Sequence, residues 1–386
     1  MNFFVDFASG SLNKYGEELC GDKVEFYNDG KTFIAVLSDG LGSGVKANIL
    51  ATLTSKIAIT MLKEGLPLKE VVDTISKTLP VCSIRKLAYS TFTIIKINSD
   101  GMTYVVEFDN PSIFILSDKI IKTVEWRTHE INGRSIKESQ FQIKEKDILV
   151  CVSDGVIHAG AGKVLNLGWK WEDVLKYLMK NISRDMSAKM VTNILLGACD
   201  QLYIQEPGDD ATVATIKAVR PKEAVIFSGP PVDPKFDKEV VEKIISTSGN
   251  KIVCGGTAAN IVARELKTQV KANFNIENKE VPPIGYIKGI DLVTEGVLTI
   301  KKATEKLELI KVANDLKFIY EKDGASMLAR MLYEDCTHVK MIIGRAINPA
   351  HQNPDFPNEL SIKLYVLNEL KQVLIELGKI VEVEFY

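Results

Sequence analysis

Phe33-Ile-Ala-Val-Leu-Ser-Asp-Gly-Leu-Gly-Ser-Gly-Val-Lys46 reads as a buried strand that runs into an acidic, glycine-rich turn and then into a helix. Phe33 to Leu37 are all apolar or small, a run short enough for a strand covered on both faces. Asp39-Gly40 ends the strand, and Gly42 and Gly44 let the backbone turn where a side chain would clash. Val45, Ile49, Leu53, Ile57 and Met61 then recur at every fourth position, which predicts one inward helix face. An aspartate at the end of a buried strand is a place to hold a cation. The same phrase returns at Ile148-Leu-Val-Cys-Val-Ser-Asp-Gly155.

The 386 residues suffice for two domains with sizeable cores, and 46% hydrophobic with 25% charged residues is an ordinary globular composition. A formal charge of −2 and the lack of any Lys/Arg block argue against nucleic acid as a partner. The cysteines Cys20, Cys82, Cys151, Cys199, Cys254 and Cys336 form no CxxC pair, so buried reduced thiols are expected. No signal-like opening is evident, and no apolar run reads as the ~20 residues of a membrane span. A cytoplasmic protein without a membrane partner is the expectation.

Outward from the opening stretch, Phe3–Ala8 and Lys23–Tyr27 read as strands, with Asn28-Asp-Gly30 as a hairpin turn. Pro67 can open a second helix with Leu68, Val71, Val72, Ile75 and Leu79 inward. Ser90–Ile97, Met102–Phe108 and Ser112–Leu116 predict an antiparallel meander, and Gln142–Val152 two short strands around a turn. Helices are expected near Trp169–Lys180 and Asp185–Tyr203, before a last strand after Gly208-Asp-Asp210. This is α+β layering. After the polar break Arg220-Pro-Lys-Glu223 the rhythm becomes βαβα, which suggests a mainly parallel sheet in a second domain, residues 221–386.

Acidic turns at strand edges mark the first domain: Gly21-Asp22, Asp39-Gly40, Asp154-Gly155 and Gly208-Asp209-Asp210. Taken singly, each is ordinary turn chemistry. As a set they differ, because adjacent central strands ending in Ser-Asp-Gly would bring Asp39 and Asp154 together. Two carboxylates at ~4 Å repel by about 4 kcal/mol at an effective dielectric near 20, so protons or a divalent cation must offset the charge. All-oxygen ligands point to Mg²⁺ or Mn²⁺ rather than zinc.

The order of these motifs resembles the SpoIIE-like branch of the PPM (type-2C) metal-dependent Ser/Thr protein phosphatases. The phrases are Gly16-Glu-Glu-Leu-Cys-Gly-Asp22, Leu37–Ala47, Ser90-Thr-Phe-Thr-Ile94, Asp109-Asn-Pro-Ser-Ile113, Val152–Val156 and Asp209-Asp-Ala-Thr-Val213, in family order across residues 1–220. The resemblance implies an αββα sandwich holding two Mn²⁺ or Mg²⁺ ions. It implies that Asp39 bridges both metals, that Asp22 and the Gly40 carbonyl serve one, and that Asp154 and Asp209 serve the other. Asp210 is the alternative to Asp209 in register, or an acid just behind the ligands. The implied reaction is hydrolysis of phosphoserine or phosphothreonine by direct attack of a metal-bridging hydroxide, with no covalent phosphoenzyme. Implied substrates are anti-anti-sigma-type phosphoproteins in partner-switching signalling, and helix-mediated homodimers occur in the branch. Eukaryotic relatives use a histidine as general acid; His129 and His158 stand in no matching motif.

Three secondary features accompany these. Trp169 and Trp171 read as helix packing, Lys46 as a solvated lysine, and His158–Gly168 as a candidate flap. In the second domain, Gly255-Gly256-Thr257 at a strand-to-helix junction is a candidate anion site for a small-molecule ligand. A plain tight turn is the simpler reading, and His338, His351, Asp335 and Asp355 form no catalytic set. The competing functional reading is a non-enzymatic regulator that uses the phosphatase fold to engage a partner while the second domain senses a ligand.

Overall fold

The computed structural model describes residues 3–78, 90–117, 120–131, 134–273, 284–312, 317–346 and 362–386. Leu79, Cys82, the Pro282-Pro283 pair, His351 and Asp355 lie outside them. The chain divides into two compact units, Met1–Arg220 and Pro221–Tyr386.

The first unit runs β1 (Phe4–Leu12), β2 (Asp22–Asn28), β3 (Thr32–Gly40), α1 (Gly44–Lys63), α2 (Leu68–Thr78), β4 (Ser90–Asn98), β5 (Met102–Phe108) and β6 (Phe114–Ser117). It continues through β7 (Ile120–Ile121), β8 (Arg127–Ile131), β9 (Arg134–Gln142), β10 (Ile148–Val152), α3 (Asp154–Ile157), α4 (Trp171–Asn181), α5 (Ala188–Leu202) and β11 (Ala211–Val219). The strands form two sheets, ordered β2-β3-β4-β5-β9-β8 and β1-β11-β10-β6-β7.

Alternation along each strand divides the core into layers. Phe33, Ala35 and Leu37 of β3 join Leu149 and Cys151 of β10 and Ile216 of β11 in the core between the sheets. Ile34 and Val36 face the other way, onto Ala58 and Leu62 of α1 and Val71, Val72 and Ile75 of α2. Val150, Val152 and Val213 pack outward on Val174 and Leu178 of α4 and on Val191 and Leu195 of α5. Helices, sheet, sheet, helices: the unit is an α+β sandwich of αββα type.

Two strand pairings differ from the sequence expectation. The strands carrying the Ser-Asp-Gly phrases are not neighbours, since β3 and β10 belong to different sheets. Asp39 and Asp154 therefore act on each other from different sheets. The strand expected to complete the meander, β6, crosses to the other sheet and pairs with β10, while β9 takes its place beside β5. Periodicity shows which faces of a strand are buried but not which strand lies alongside.

Helix α1 departs most. Val45, Ile49 and Leu53, expected inward, are 62%, 53% and 49% exposed, whereas Ile57 and Met61 farther along the same stripe pack against the core as expected. The buried face is Gly44, Ala47, Leu50, Ala51, Thr54, Ser55, Ala58 and Leu62. Both faces are rich in apolar side chains, so spacing could not choose; close packing did. A β-carbon on Gly40 would collide with the carbonyl oxygen of Ala47, so α1 lies hard against the end of β3 and only small residues fit there. At 20 residues, α1 is also long and apolar enough, by length and composition, to cross a membrane, against the sequence expectation. Here its small-residue face lies on β3.

The second unit runs β12 (Glu223–Ser228), α6 (Asp237–Ser246), β13 (Asn250–Cys254), α7 (Gly256–Glu265), β14 (Lys271–Asn273), β15 (Ile284–Tyr286) and β16 (Leu292–Thr294). Then come α8 (Val297–Val312), α9 (Gly324–Tyr333), β17 (His338–Ile343), α10 (Ile362–Glu376) and β18 (Ile380–Phe385). Its sheet order is β14-β15-β16-β13-β12-β17-β18, parallel from β16 to β18 with an antiparallel edge at β14 and β15. Helices α6 and α7 cover one face and α8, α9 and α10 the other.

The inverted α1 face yields a direct expectation. Ile49→Lys should change stability by less than about 0.5 kcal/mol, as surface substitutions do. Ala51→Leu, on the fully buried face, should cost about 1–3 kcal/mol by overpacking. Urea unfolding of both variants checks this; the reverse order would restore the face expected from spacing.

Candidate active site

Pleat parity aims three aspartates into the gap between the sheets. Asp39 has the parity of Phe33, Ala35 and Leu37, Asp22 that of Val24 and Phe26, and Asp210 that of Ala214, Ile216 and Ala218. Asp22 and Asp39 are direct cross-strand partners in the β2–β3 register. From the other sheet, Asp154 opens α3 immediately after β10, and Asp209 stands in the turn before β11. The five acids thus arrive from four strand ends.

Their charges act on one another. Burial first, and then Asp22, Asp154, Asp209 and Asp210, push the Asp39 carboxyl up to about 9. Burial raises Asp22 to about 7; the Ser153 and Thr212 hydroxyls oppose that rise, while Asp210 and Asp154 add to it. Asp209 is raised by burial and by Asp154. Asp22 is 4% exposed and its Oδ2 has no hydrogen-bond partner, an uncompensated buried oxygen of the kind a cation satisfies.

Asp210 has a different task. Its Oδ1 accepts from the Lys14 backbone N–H at 3.0 Å and its Oδ2 from that of Gly21 at 2.9 Å. With both oxygens committed, it ties the strap between β1 and β2 to the start of β11 and so fixes Asp22. The strap is tied at the α1 end too, where Ser43 Oγ donates to Glu17 Oε1 at 3.0 Å and Asn48 Nδ2 to the Cys20 carbonyl at 2.8 Å.

Supporting groups that sequence reasoning missed sit inside the motifs themselves. The serine of each Ser-Asp-Gly phrase is buried: the Ser38 hydroxyl lies 2.6 Å from that of Ser90, and Ser153 Oγ accepts from the Thr212 N–H at 2.8 Å. Ser90 Oγ also donates to the Asp39 carbonyl. Glu107, raised to about 7 by burial, accepts from the Ile113 N–H and the Ser112 hydroxyl and holds the Asp109–Ile113 turn. The repeated serine was a usable signal; Glu107 had none.

Other sequence candidates lie outside the acids. His158 is exposed at the carboxyl end of α3, and exposed His129 faces Glu138. Trp171 stacks on Phe114 and donates to the Ser112 carbonyl, and Trp169 packs edge-on to Tyr177. The expected flap is pinned: Lys163 Nζ donates to the Tyr203 and Glu206 carbonyls, and a β-carbon on Gly168 would meet His158. In the second unit, Gly255 has φ 114° and α7 begins with no side-chain cap, leaving Gly256 and Thr257 exposed.

Among the described residues, no three Asp, Glu, His or Cys side chains converge as a finished metal cage. The donor set still fits a hard divalent cation, because it is all oxygen and contains the unpartnered Asp22 Oδ2. A carboxyl that is more easily protonated folded than unfolded favours folding at low pH. That contribution is complete below about 4 and is lost as pH rises through about 7 for Asp22 and about 9 for Asp39. In EDTA the melting temperature should therefore fall between pH 5 and 9. Asp39→Asn should flatten that fall and melt higher than wild type at pH 8, and Mn²⁺ or Mg²⁺ should raise wild type more than the variant. Equal pH slopes for the two proteins would sink this account of the cluster.

Residues 29–219 match the family model for SpoIIE, Stage II sporulation protein E. Stage II sporulation protein E of Bacillus subtilis (strain 168) is 23% identical over 221 residues, 56% of this chain; the match spans only 26% of that relative's length. The solved phosphatase domain of B. subtilis SpoIIE, in a crystal form without domain swapping, superposes with a TM-score of 0.45 at 21% identity, covering 57% of this chain and 94% of that one. The RsbU and RsbW domains of Rv1364c from Mycobacterium tuberculosis give a TM-score of 0.47 at 14% identity, covering 63% and 68%. The family match begins after Asp22 and takes in Asp39, Asp154, Asp209 and Asp210, and the first unit is a SpoIIE-like phosphatase segment of the PPM type.

Proposed function

We propose that residues 1–220 hydrolyse phosphoserine or phosphothreonine in a protein substrate, with Mg²⁺ or Mn²⁺ held by Asp22, Asp39, Asp154, Asp209 and the Gly40 carbonyl. One observation carries the reading. Two stacked sheets deliver carboxylates from four strand ends to one patch, where burial and mutual repulsion raise Asp22, Asp39 and Asp209 and one buried oxygen has no partner. Such an arrangement is costly unless cations are bound.

Divalent cations there would activate water and offset charge on the transferring phosphoryl group. The chain's own part is positional. Asp210 holds the strap that carries Asp22, Ser90 fixes the Asp39 backbone, and Ser153 ties β10 to β11 beside Asp154. A phosphoprotein of partner-switching type, in the cytoplasm, is the substrate and setting we infer from the family. The second unit would then set when the phosphatase acts.

Phosphoserine-peptide hydrolysis by the full chain, with Mn²⁺, Mg²⁺ or EDTA, tests the proposal. Turnover should need the cation, and Asp154→Asn should lower it about 100-fold or more, in the range of other lost electrostatic contacts at reacting centres. Folded wild type that turns over nothing with either metal would overturn the enzymatic reading in favour of a binding role.

A further inference from the structure

The order β16-β13-β12-β17-β18 contains a reversal. The chain leaving β12 goes to α6 on one face of the sheet, and the chain leaving β17 goes to α10 on the other. In open parallel sheets, ligands bind beyond the carboxyl ends of the strands at such a reversal. The register makes Gly229 and Gly344 the first residues past β12 and β17, and the Gly344 N–H donates to the Ser228 carbonyl at 3.0 Å.

A cleft of about 640 Å³ opens beside these turns, lined by Val232, Phe236, Arg345, Phe385 and Tyr386 together with Asp233 and Glu384. Its charges do not balance locally. Asp233 is paired with Lys235 at 2.7 Å, and Glu384 with Lys340 at 2.6 Å and Lys243 at 3.0 Å. Arg345 has no carboxylate partner among the described residues; its guanidinium carbon lies 5.6 Å from the centroid of the Phe385 ring. On the opposite face of the same strand end, Lys363 Nζ donates to the Gly344 carbonyl at 2.5 Å and also has no carboxylate partner among the described residues. A side chain at Gly229 would run into that ammonium. Burial lowers the Lys363 pKa with no acid to offset it.

The walls are aromatic, and one face of Phe236 carries the Lys235 ammonium 5.0 Å from its centroid. Phe385 is 55% and Val232 64% exposed, and Phe236 meets Tyr386 edge-on at 5.9 Å. Aromatic faces take a planar ring, and a guanidinium without a counter-ion takes a phosphate in two-pronged fashion. The volume lies within the range of small-molecule sites.

We infer that the second unit binds a nucleotide in this cleft, its base against Phe236 and Phe385 and its phosphate on Arg345, with Lys363 adding positive charge from behind. The Cys254–Thr257 turn stands on the other side of β12, so the site is distinct from the anion candidate read from sequence.

Calorimetric titration of the full chain, in EDTA so that no nucleotide is hydrolysed, tests the inference. The probes are ATP, ADP, AMP, GTP, adenosine and inorganic phosphate. At least one nucleotide should bind, with adenosine and phosphate alone each at least about tenfold weaker. Arg345→Gln should weaken binding about tenfold or more, the loss expected of a charge-assisted pair. Lys363→Gln should weaken it less, and Phe385→Ala should reduce the advantage of nucleotide over phosphate. No heat from any nucleotide at millimolar concentration would overturn the inference, as would undiminished binding by both Arg345→Gln and Lys363→Gln. Neither result bears on the phosphatase, whose assay uses the other unit's residues.

Discussion

Carboxylates that repel one another at the open end of a two-sheet sandwich set the design of the first unit. Pleat parity turns Asp22, Asp39 and Asp210 into the space between the sheets, and Asp154 and Asp209 reach the same patch from the turns beside β10 and β11. A hydrophobic core cannot hold such a cluster, so the supports are polar and directional. Ser153 and Thr212 stand beside Asp22, the Ser38–Ser90 pair stands behind Asp39, and Asp210 uses both oxygens on backbone N–H groups of the strap. The apolar layers supply stability and fix the spacing between the sheets; the hydroxyls and the strap fix the direction of the acids.

Much of this was legible in the sequence because the informative residues are local. Asp39-Gly40 and Asp154-Gly155 announce themselves as strand ends, and the repeated Ser-Asp-Gly phrase links them before any pairing is known. Parity along Phe33–Asp39 would even have given the direction of the Asp39 side chain. Non-local features were not legible. Nothing in β6 shows that it abandons the meander for β10, because a buried strand carries no mark of which sheet it joins. Glu107 reads as an alternating surface acid until the Asp109–Ile113 turn folds over it. Arg345 and Lys363 are distant in sequence and become neighbours only through the end of β17.

The two units use the end of a strand in opposite ways. In the first, the ends gather carboxyl groups among hydroxyls and backbone donors, an all-oxygen set that suits a cation. In the second, the acids beside the cleft are already paired with Lys235, Lys243 and Lys340, and the two unbalanced charges are cationic. The contrast follows from topology. Antiparallel strands from two sheets can bring several turns of one kind to a single gap. A parallel sheet instead leaves short turns that diverge to opposite faces, and a cleft with one wall from each is the natural result.

Helix α1 shows how the site constrains a part of the fold that carries none of its acids. Its buried face is built mostly from small residues, Gly44, Ala47, Ala51, Thr54, Ser55 and Ala58, with Leu50 and Leu62, although Val45, Ile49 and Leu53 were available on the other side. Turning the larger residues inward would bury more apolar area, worth about 1.5–3 kcal/mol for each side chain. It would also lift α1 from β3, and the contact between Gly40 and the Ala47 backbone would open. That contact sits one residue beyond Asp39. A larger core under α1 would thus displace the end of the strand whose carboxyl is raised by burial and then by all four of its acidic neighbours. The small-residue face is accounted for by the need to hold Asp39 in place, and the exposed apolar stripe is its consequence.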